Sequence, residues 1–302
     1  MNEEPRKQRG KKRRNEGRRL FCFGLGYSAR WLSRMLLAEG FTVAGTTRDP
    51  PSAPHAEGIT VYPFSRENPL KDPAEALAGV THILNSIPPD TCDPVINVHG
   101  ADIIALAPNL QWVGYLSTTG VYGDKQGDWV DEDSALEPTG ERGRRRMGAE
   151  AAWLDLWFDY GLPVHVFRLA SIYGPGRNAL EEIKSGRAKR VVKQGQVFSR
   201  IHVADIANIL RSSMARPNPG RVYNVCDDLA AAPQDVIAFA ASLLGRDPPP
   251  ETPFEQAELS DMAKSFYADN KRVRNDRIKD ELGVALAYPD YRAGLRSLLE
   301  SL

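Results

Sequence analysis

From Leu20 onward the chain alternates between two rhythms of apolar and polar positions. Short apolar runs rich in β-branched and aromatic residues each lead into a longer stretch with apolar residues three or four apart, which predicts strands followed by helices. "LFCFG" (20–24) precedes a helix over 28–39, where Trp31, Leu32, Met35 and Leu36 fall at helical spacing. "FTVAGTT" (41–47) follows at once, then "ITVYPF" (59–64), "THILNS" (81–86) before a helix over 94–107, and "LQWVGYLST" (110–118). A longer helix is expected from Thr139 to Tyr160, with Met147, Ala151, Leu154, Trp157 and Phe158 inward and the arginines outward. "VHVFRLASIYG" (164–174) reads as a sixth strand after the break at Gly161 and Pro163.

After Gly174 the pattern loosens. Pro175, Gly176, Gly186 and Gly195 punctuate short elements, "GRVYNV" (220–225) gives one more strand, and 230–302 reads as mostly helical around "RDPPPETP". Strand–helix alternation of this kind predicts an α/β fold, a doubly wound parallel sheet with a smaller C-terminal substrate-binding part. The expected division is a basic tail over 1–19, a sheet domain over 20–175 with a returning segment near 200–228, and a smaller, mostly helical part from 176–199 and 229–302. In such sheets ligands bind beyond the carboxyl ends of the strands, so candidate chemistry is sought there.

Composition changes this picture little. At 302 residues the chain can bury a core without disulfides, and 42% hydrophobic with 26% charged residues is ordinary for a globular protein. The zero net charge hides an asymmetry: residues 1–19 hold nine Lys/Arg against three Glu, a net of +6. A run without apolar residues reads as a solvated arm, and no aromatic interleaves it, so neither a nucleic-acid nor a membrane partner is expected. No apolar run reaches the roughly 20 residues of a membrane span. The three cysteines, Cys22, Cys92 and Cys226, are widely spaced and no metal-ligand spacing occurs, so a reduced, cytoplasmic, metal-free protein is expected.

The first chemistry lies in "FGLGYSAR", where Gly24, Gly26 and Ala29 form G-x-G-x-x-A between the first strand and the first helix. Gly24 permits a tight turn, Gly26 lets the backbone approach a pyrophosphate, and Ala29 allows close helix–strand packing, with Tyr27 and Ser28 at the helix N-terminus. A nucleophile elbow around Ser28 fails because Arg30 takes its final glycine position. At the end of the second strand Thr46, Thr47 and Arg48 stand where a carboxylate would hold a ribose 2′-hydroxyl. Hydroxyls with a guanidinium suit a 2′-phosphate, so NADP is expected over NAD, which Asp49 keeps open. Ser86, Ile87 and Pro88, after the fourth strand, complete the expected cofactor wall.

"YLSTTGVYGD" (115–124), "RLASIYGPGR" (168–177), "SRIHVADIA" (199–207) and "VYNVCDD" (222–228) together resemble, in order, the segments of the extended and atypical short-chain dehydrogenases/reductases related to nucleotide-sugar epimerases and dehydratases. The resemblance covers roughly 20–228 and implies a Rossmann fold and a nicotinamide cofactor. It puts Thr118 where the family holds the substrate oxygen with a Ser/Thr hydroxyl. The family's Tyr-x-x-x-Lys, aligned through Glu150, falls on Arg142 and Arg146. A guanidinium stays charged and has no acceptor, so it binds anions but cannot shuttle protons. An alternative proton donor, Tyr122, is weighed at the end of the fifth strand, although the family uses this tyrosine structurally. Tyr173, Arg177, Arg200 and His202 come from segments that flank the substrate in relatives, with Arg177 and Arg200 as a joint anion site.

The expected function is therefore an NAD(P)-binding oxidoreductase or epimerase/dehydratase-like enzyme with altered catalytic residues. Its partner would be an anionic, nucleotide-sugar-like small molecule, and a homodimer is an admissible assembly. The alternative is a catalytically silent NADP(H)-binding sensor or scaffold.

Overall fold

The computed structural model describes residues 17–49 and 58–300. Most of the expected basic tail, residues 1–16, lies outside the described residues. Its last member, Arg19, is not part of a tail: it opens the first strand, and its Nη2 donates to the Ala76 carbonyl at 2.9 Å.

Among the described residues thirteen strands follow in chain order: β1 (Arg19–Phe23), β2 (Thr42–Thr47), β3 (Ile59–Pro63), β4 (His82–Asn85), β5 (Trp112–Thr118), β6 (Trp129–Val130), β7 (Val164–Leu169), β8 (Ser171–Tyr173), β9 (Arg190–Val192), β10 (Arg200–His202), β11 (Val222–Val225), β12 (Glu251–Pro253) and β13 (Arg272–Val273). Seven of them form one sheet in the order β11-β7-β5-β4-β1-β2-β3. The pairs β1–β2, β2–β3, β1–β4 and β4–β5 are parallel, so the chain runs outward from β1 in one direction and then in the other. The order reverses between β1 and β4, the switch point at which doubly wound sheets take ligands. The predicted α/β architecture is the one observed.

The chain divides into two compact units. The first comprises residues up to Ser117 with Gly148–Phe167 and Leu210–Val222; the second comprises Thr118–Met147, Arg168–Ile209 and Tyr223–Leu302. In the first unit, Phe21, Phe23, Ile83, Val113, Tyr115, Trp153 and Val166 pack into a core with no water access to speak of. Buried polar groups there are paired, as burial demands. Asp93 caps the helix Pro94–Ala105 through the N–H groups of Val95 and Ile96, and its other oxygen accepts from Trp153 Nε1 at 3.0 Å and Asn85 Nδ2 at 2.9 Å.

The second unit holds the small parallel pairs β8–β10, β9–β12 and β6–β13. Its own core gathers Leu180, Ile183, Val236, Ala240, Tyr291 and Leu295 from three helices.

Two expectations are corrected. Residues 164–174 are not one strand: β7 and β8 separate at Ala170 and join different sheets. The helix Glu141–Tyr160 buries Gly143, Ala149, Glu150, Trp153 and Leu156, whereas Ala151 and Trp157 are exposed and Phe158 is 81% exposed. Its inner face turns because Glu150 is drawn inside by the Ser117 hydroxyl, which donates to its carboxylate. A buried, hydrogen-bonded carboxylate does not register in a purely apolar pattern.

Candidate functional site

In the first unit, Gly24 follows β1 with φ +86°, a conformation that L residues rarely adopt. A Cβ there would also meet Ile87 Cγ1 at 2.8 Å and Ser86 Oγ at 2.9 Å. The turn is fixed from both neighbouring strands: Gly24 N donates to Thr46 Oγ1 at 2.9 Å, and Ser86 Oγ donates to the Gly24 carbonyl at 2.6 Å. Thr46 is therefore fully buried as part of this turn, and of the hydroxyl pair only Thr47 is partly accessible, beside exposed Arg48.

The helix Tyr27–Ala38 begins at Gly26, which is exposed and caps it without any side-chain hydrogen bond. A Cβ at Gly26 would touch nothing within 4 Å, and the first turn carries no acidic residue. Four backbone N–H groups at such an end lack intrahelical partners, and the helix dipole favours an anion there. The helix can approach the sheet closely because Ser28, Ala29, Leu32, Ser33 and Leu36 face inward, with Trp31 and Met35 only half-buried. The small Ala29 and Ser33 explain why the inner face is not the one set by the bulkiest residues. Arg30, which the sequence reading used only to exclude a nucleophile elbow, holds the turn through Nε to the Leu25 carbonyl at 3.0 Å. These residues fit a dinucleotide phosphate: an open, donor-rich end behind a glycine turn, with Ser86 and Ile87 against the turn and exposed Pro88 beyond.

In the second unit, Thr118 caps a 3₁₀ turn over Thr119–Tyr122, its Oγ1 accepting from Gly120 N at 3.2 Å. Gly143, at the start of the helix Glu141–Tyr160, lies so near this turn that a Cβ would stand 2.9 Å from the Gly120 carbonyl oxygen. That approach brings the helix start, with Arg142 and Arg146 one turn apart, beside Thr118's turn. Arg142 is exposed, its guanidinium 5.6 Å from the centre of the Phe266 ring, and Arg146 is partly buried. Arg144 and Arg145 pair instead with Glu141.

Tyr122 does not stand ready as a proton donor. It is fully buried, its hydroxyl donating to Asn224 Oδ1 at 2.7 Å and accepting from Arg168 Nη1 at 2.9 Å. Burial pushes its phenol up to about 12, against the opposing pull of Arg168. The segment after it turns on Gly123, φ +69°, where a Cβ would lie 1.9 Å from the Glu137 carbonyl oxygen.

The remaining expected substrate residues are dispersed in role. Tyr173 is buried, its hydroxyl donating to the Asp290 carbonyl at 3.3 Å. His202 is 2% exposed between the rings of Tyr173 and Tyr288, and its Nδ1 accepts from Ala204 N at 3.2 Å. Burial lowers its pKa to about 4, so it is neutral at physiological pH. The expected Arg177–Arg200 anion site is not assembled: Arg177 is exposed, while Arg200 Nη1 donates to the Phe198 and Ala231 carbonyls at 2.8 and 2.9 Å. Arg200 also faces Asp227, whose carboxyl burial raises to about 8 despite the N–H of Leu229 and the guanidinium. Among the described residues no group of three or more His, Cys, Asp or Glu side chains could hold a metal ion, and no helix is long and apolar enough to cross a membrane.

One group had no signal in the sequence. Lys271, about 150 residues beyond Thr118's turn, donates from Nζ to the Gly123 carbonyl at 2.6 Å and to Asp269 Oδ2 at 3.2 Å. Burial lowers its pKa, with Asp269 opposing.

Comparisons with known proteins agree with the sheet architecture. A protein of unknown function from Silicibacter pomeroyi DSS is 52% identical, with a TM-score of 0.85 over 94% of this chain and 98% of its own. Protein YeeZ of Escherichia coli K12 is 28% identical over 280 residues, 88% of this chain and 95% of that protein. The human epimerase family protein SDR39U1, solved with NADPH, shares the fold at 20% identity, with a TM-score of 0.71 over 94% of this chain and all of its own. Residues 24–226 match the model of the NAD dependent epimerase/dehydratase family. A span that starts at the first glycine of the turn and ends within the "VYNVCDD" segment takes in each motif on which the resemblance was drawn, and the chain belongs to that family.

Proposed function

We propose that the protein is an NAD(P)-dependent oxidoreductase, epimerase or dehydratase that prefers NADP(H) and acts on an anionic small molecule of the nucleotide-sugar kind. The observation that carries this reading is the uncapped helix end at Gly26 behind the positive-φ turn of Gly24. A bound nicotinamide supplies or accepts the hydride at the substrate carbon. The backbone N–H groups at Tyr27–Ala29 receive the pyrophosphate, and Thr47 and Arg48 receive the 2′-phosphate of the adenosine ribose.

Thr118 orients the substrate oxygen through its hydroxyl hydrogen, its acceptor side being engaged by Gly120 N. Arg142 and Arg146 attract the anionic part of the substrate and transfer no proton. The test is titration of the purified protein with NADPH and with NADH, followed by nicotinamide fluorescence and calorimetry. Tighter binding of NADPH supports the reading, and no binding of either cofactor overturns it. Turnover is then screened with UDP- and dTDP-sugars. A second reading, a catalytically silent NADP(H)-binding sensor, is favoured by the locked Tyr122 hydroxyl; it predicts cofactor binding without turnover of any sugar nucleotide.

A further inference from the structure

We infer that a small cavity in the second unit binds the ammonium group of a primary alkylamine, through Asp227 and the ring of Trp129, both of which line it. The inference goes beyond the enzymatic reading and needs neither a cofactor nor turnover. The cavity lies where β6, β13 and the residues that follow β11 meet, and its volume is about 160 Å³. At about 30 Å³ for a water-sized group, it admits about five non-hydrogen atoms. That is the size of a short alkylamine or of the end of a lysine side chain.

The other charges of the lining are already matched. Asp228 Oδ1 accepts from Lys279 Nζ and from Asn275 Nδ2, both at 2.7 Å, and Arg274 Nη1 stands 3.8 Å from Asp276 Oδ2. Asp227 is different. It is 2% exposed, its Oδ1 accepts from Leu229 N at 3.3 Å, and its Oδ2 has no hydrogen-bond partner. Arg200 acts on this carboxyl through its charge, but its Nη1 is given to the Phe198 and Ala231 carbonyls. Buried polar oxygens are nearly always satisfied, so one that the chain leaves bare calls for a donor from outside it.

The aromatic wall decides the charge of that donor. Trp129 is 51% exposed, and the Arg274 guanidinium carbon already lies 5.2 Å from its ring centre, so this wall accepts positive charge. One bare oxygen suits the point charge of an ammonium, whereas a guanidinium binds best with two. The walls are held in place before any ligand arrives: Arg274 N donates to the Val130 carbonyl at 2.8 Å, and Asn275 Nδ2 donates to the Cys226 carbonyl at 2.9 Å. Burial, helped by the charge of Asp228, pushes the Asp227 carboxyl up to about 8, against the N–H groups of Leu229 and Arg200 and the Arg200 guanidinium. Tyr173 and Cys226 are the other titratable groups on which its charge bears. Below pH 8 an arriving ammonium therefore replaces the carboxyl proton, which goes to solvent, and the carboxylate so formed accepts an N–H of the ligand.

The test is calorimetric titration of the full chain with n-butylammonium, with n-butanol as its neutral counterpart and guanidinium as the forked cation. Saturable binding of n-butylammonium is expected, about tenfold or more tighter than either. Affinity should rise by about tenfold per pH unit between pH 6 and pH 8 and then level off, and at pH 7 each ligand bound should release about one proton, read from the heats in two buffers. Asp227→Asn should lower the affinity by about tenfold or more and remove the proton release, and Trp129→Ala, at an exposed position, should lower it by about threefold or more. If Asp227→Asn does not fold, proton release in the parent chain and the Trp129→Ala affinity decide the matter. No saturable binding up to about 100 mM overturns the proposal, as does n-butanol or guanidinium binding as well as the ammonium, or an Asp227→Asn chain that binds like the parent. Nα-acetyl-lysine amide is titrated beside n-butylammonium. Saturable binding of either supports the site, and the tighter of the two distinguishes a protein side chain from a free amine as the source of the group.

Discussion

The turns that follow β1 and β5 come from strands of one sheet and treat their polar groups in opposite ways. After β1, Gly26 opens a helix with no side-chain cap, no acid in its first turn and empty space where a Cβ would be. After β5, Thr118 caps its own turn, Gly123 closes it, and Lys271, Asn224 and Arg168 take up the groups that remain. The first turn opens a helix end that no side chain caps, whereas the second is fixed in one geometry by its own hydrogen bonds. An anion site needs unsatisfied donors, whereas a site that positions reacting atoms needs side chains with no freedom.

The sharpest way to break this contrast is Gly123→Ala. The new Cβ would sit 1.9 Å from a backbone carbonyl oxygen at a positive φ, and neither the Glu137 carbonyl nor the turn can give way cheaply. The expected loss exceeds about 4 kcal/mol by urea unfolding, which places it among the exceptional single-site effects. A loss below about 1 kcal/mol would show that the β5 turn is as adaptable as the β1 turn.

Tyr122→Phe comes next. It removes a hydroxyl from a fully buried site and takes one partner from each of Arg168 and Asn224, for an expected cost of about 1–3 kcal/mol. Cofactor affinity should not change. A changed pH profile of turnover in this variant would return Tyr122 to the role of proton donor.

The first of these turns was legible in the sequence and the second was not, for a physical reason. Gly24, Gly26 and Ala29 act through backbone geometry and helix packing within eight residues, so spacing alone exposes them. The seven-stranded sheet was legible in the same way, from runs of apolar residues that each supply one of its strands, although the run 164–174 also continues into β8 of another sheet. Thr118 was found through the motif around it, yet Lys271 acts across nearly 150 positions and carries no local signature. The misread face of the helix Glu141–Tyr160 has a similar cause, because Glu150 is inward only by virtue of Ser117 on another element. Arg200 looked like an anion ligand because sequence cannot reveal that two backbone carbonyls already occupy its guanidinium.

Acid should weaken the fold through groups that neither turn uses. His82, His165 and His202 are each buried, and burial lowers each pKa to about 4. In the unfolded chain they take up protons near 6.5, so between pH 6.5 and about 4 the unfolded state binds more protons than the folded one. The contribution of these three groups is fully present above pH 6.5 and falls as pH drops toward 4, offset in part by the single carboxyl of Asp227 raised to about 8, measurable as a declining urea midpoint. A flat profile over that window would mean these imidazoles are protonated in the folded protein.

Arg48→Ala probes the open turn from its far side. Arg48 is exposed, and in the proposed reading it meets only the 2′-phosphate, so NADPH binding should weaken by about tenfold or more, about 1.4 kcal/mol, with NADH unchanged. Equal weakening of both would reduce Arg48 to a surface charge.

Gly26→Ser has the smallest expected effect on the fold and bears most directly on the contrast. A serine at this position supplies the side-chain oxygen that the helix Tyr27–Ala38 lacks, and the space for its Cβ is open. Serine improves on glycine as a cap by only a few tenths of a kcal/mol, so the fold should gain about that much. The same oxygen then accepts from the backbone N–H groups that would hold a pyrophosphate and stands in its way, so NADPH affinity should fall while stability rises. Opposite signs for the two quantities are what an end kept open for a ligand requires. If stability and affinity rose together, the N-terminus of this helix would be short of a cap and nothing more.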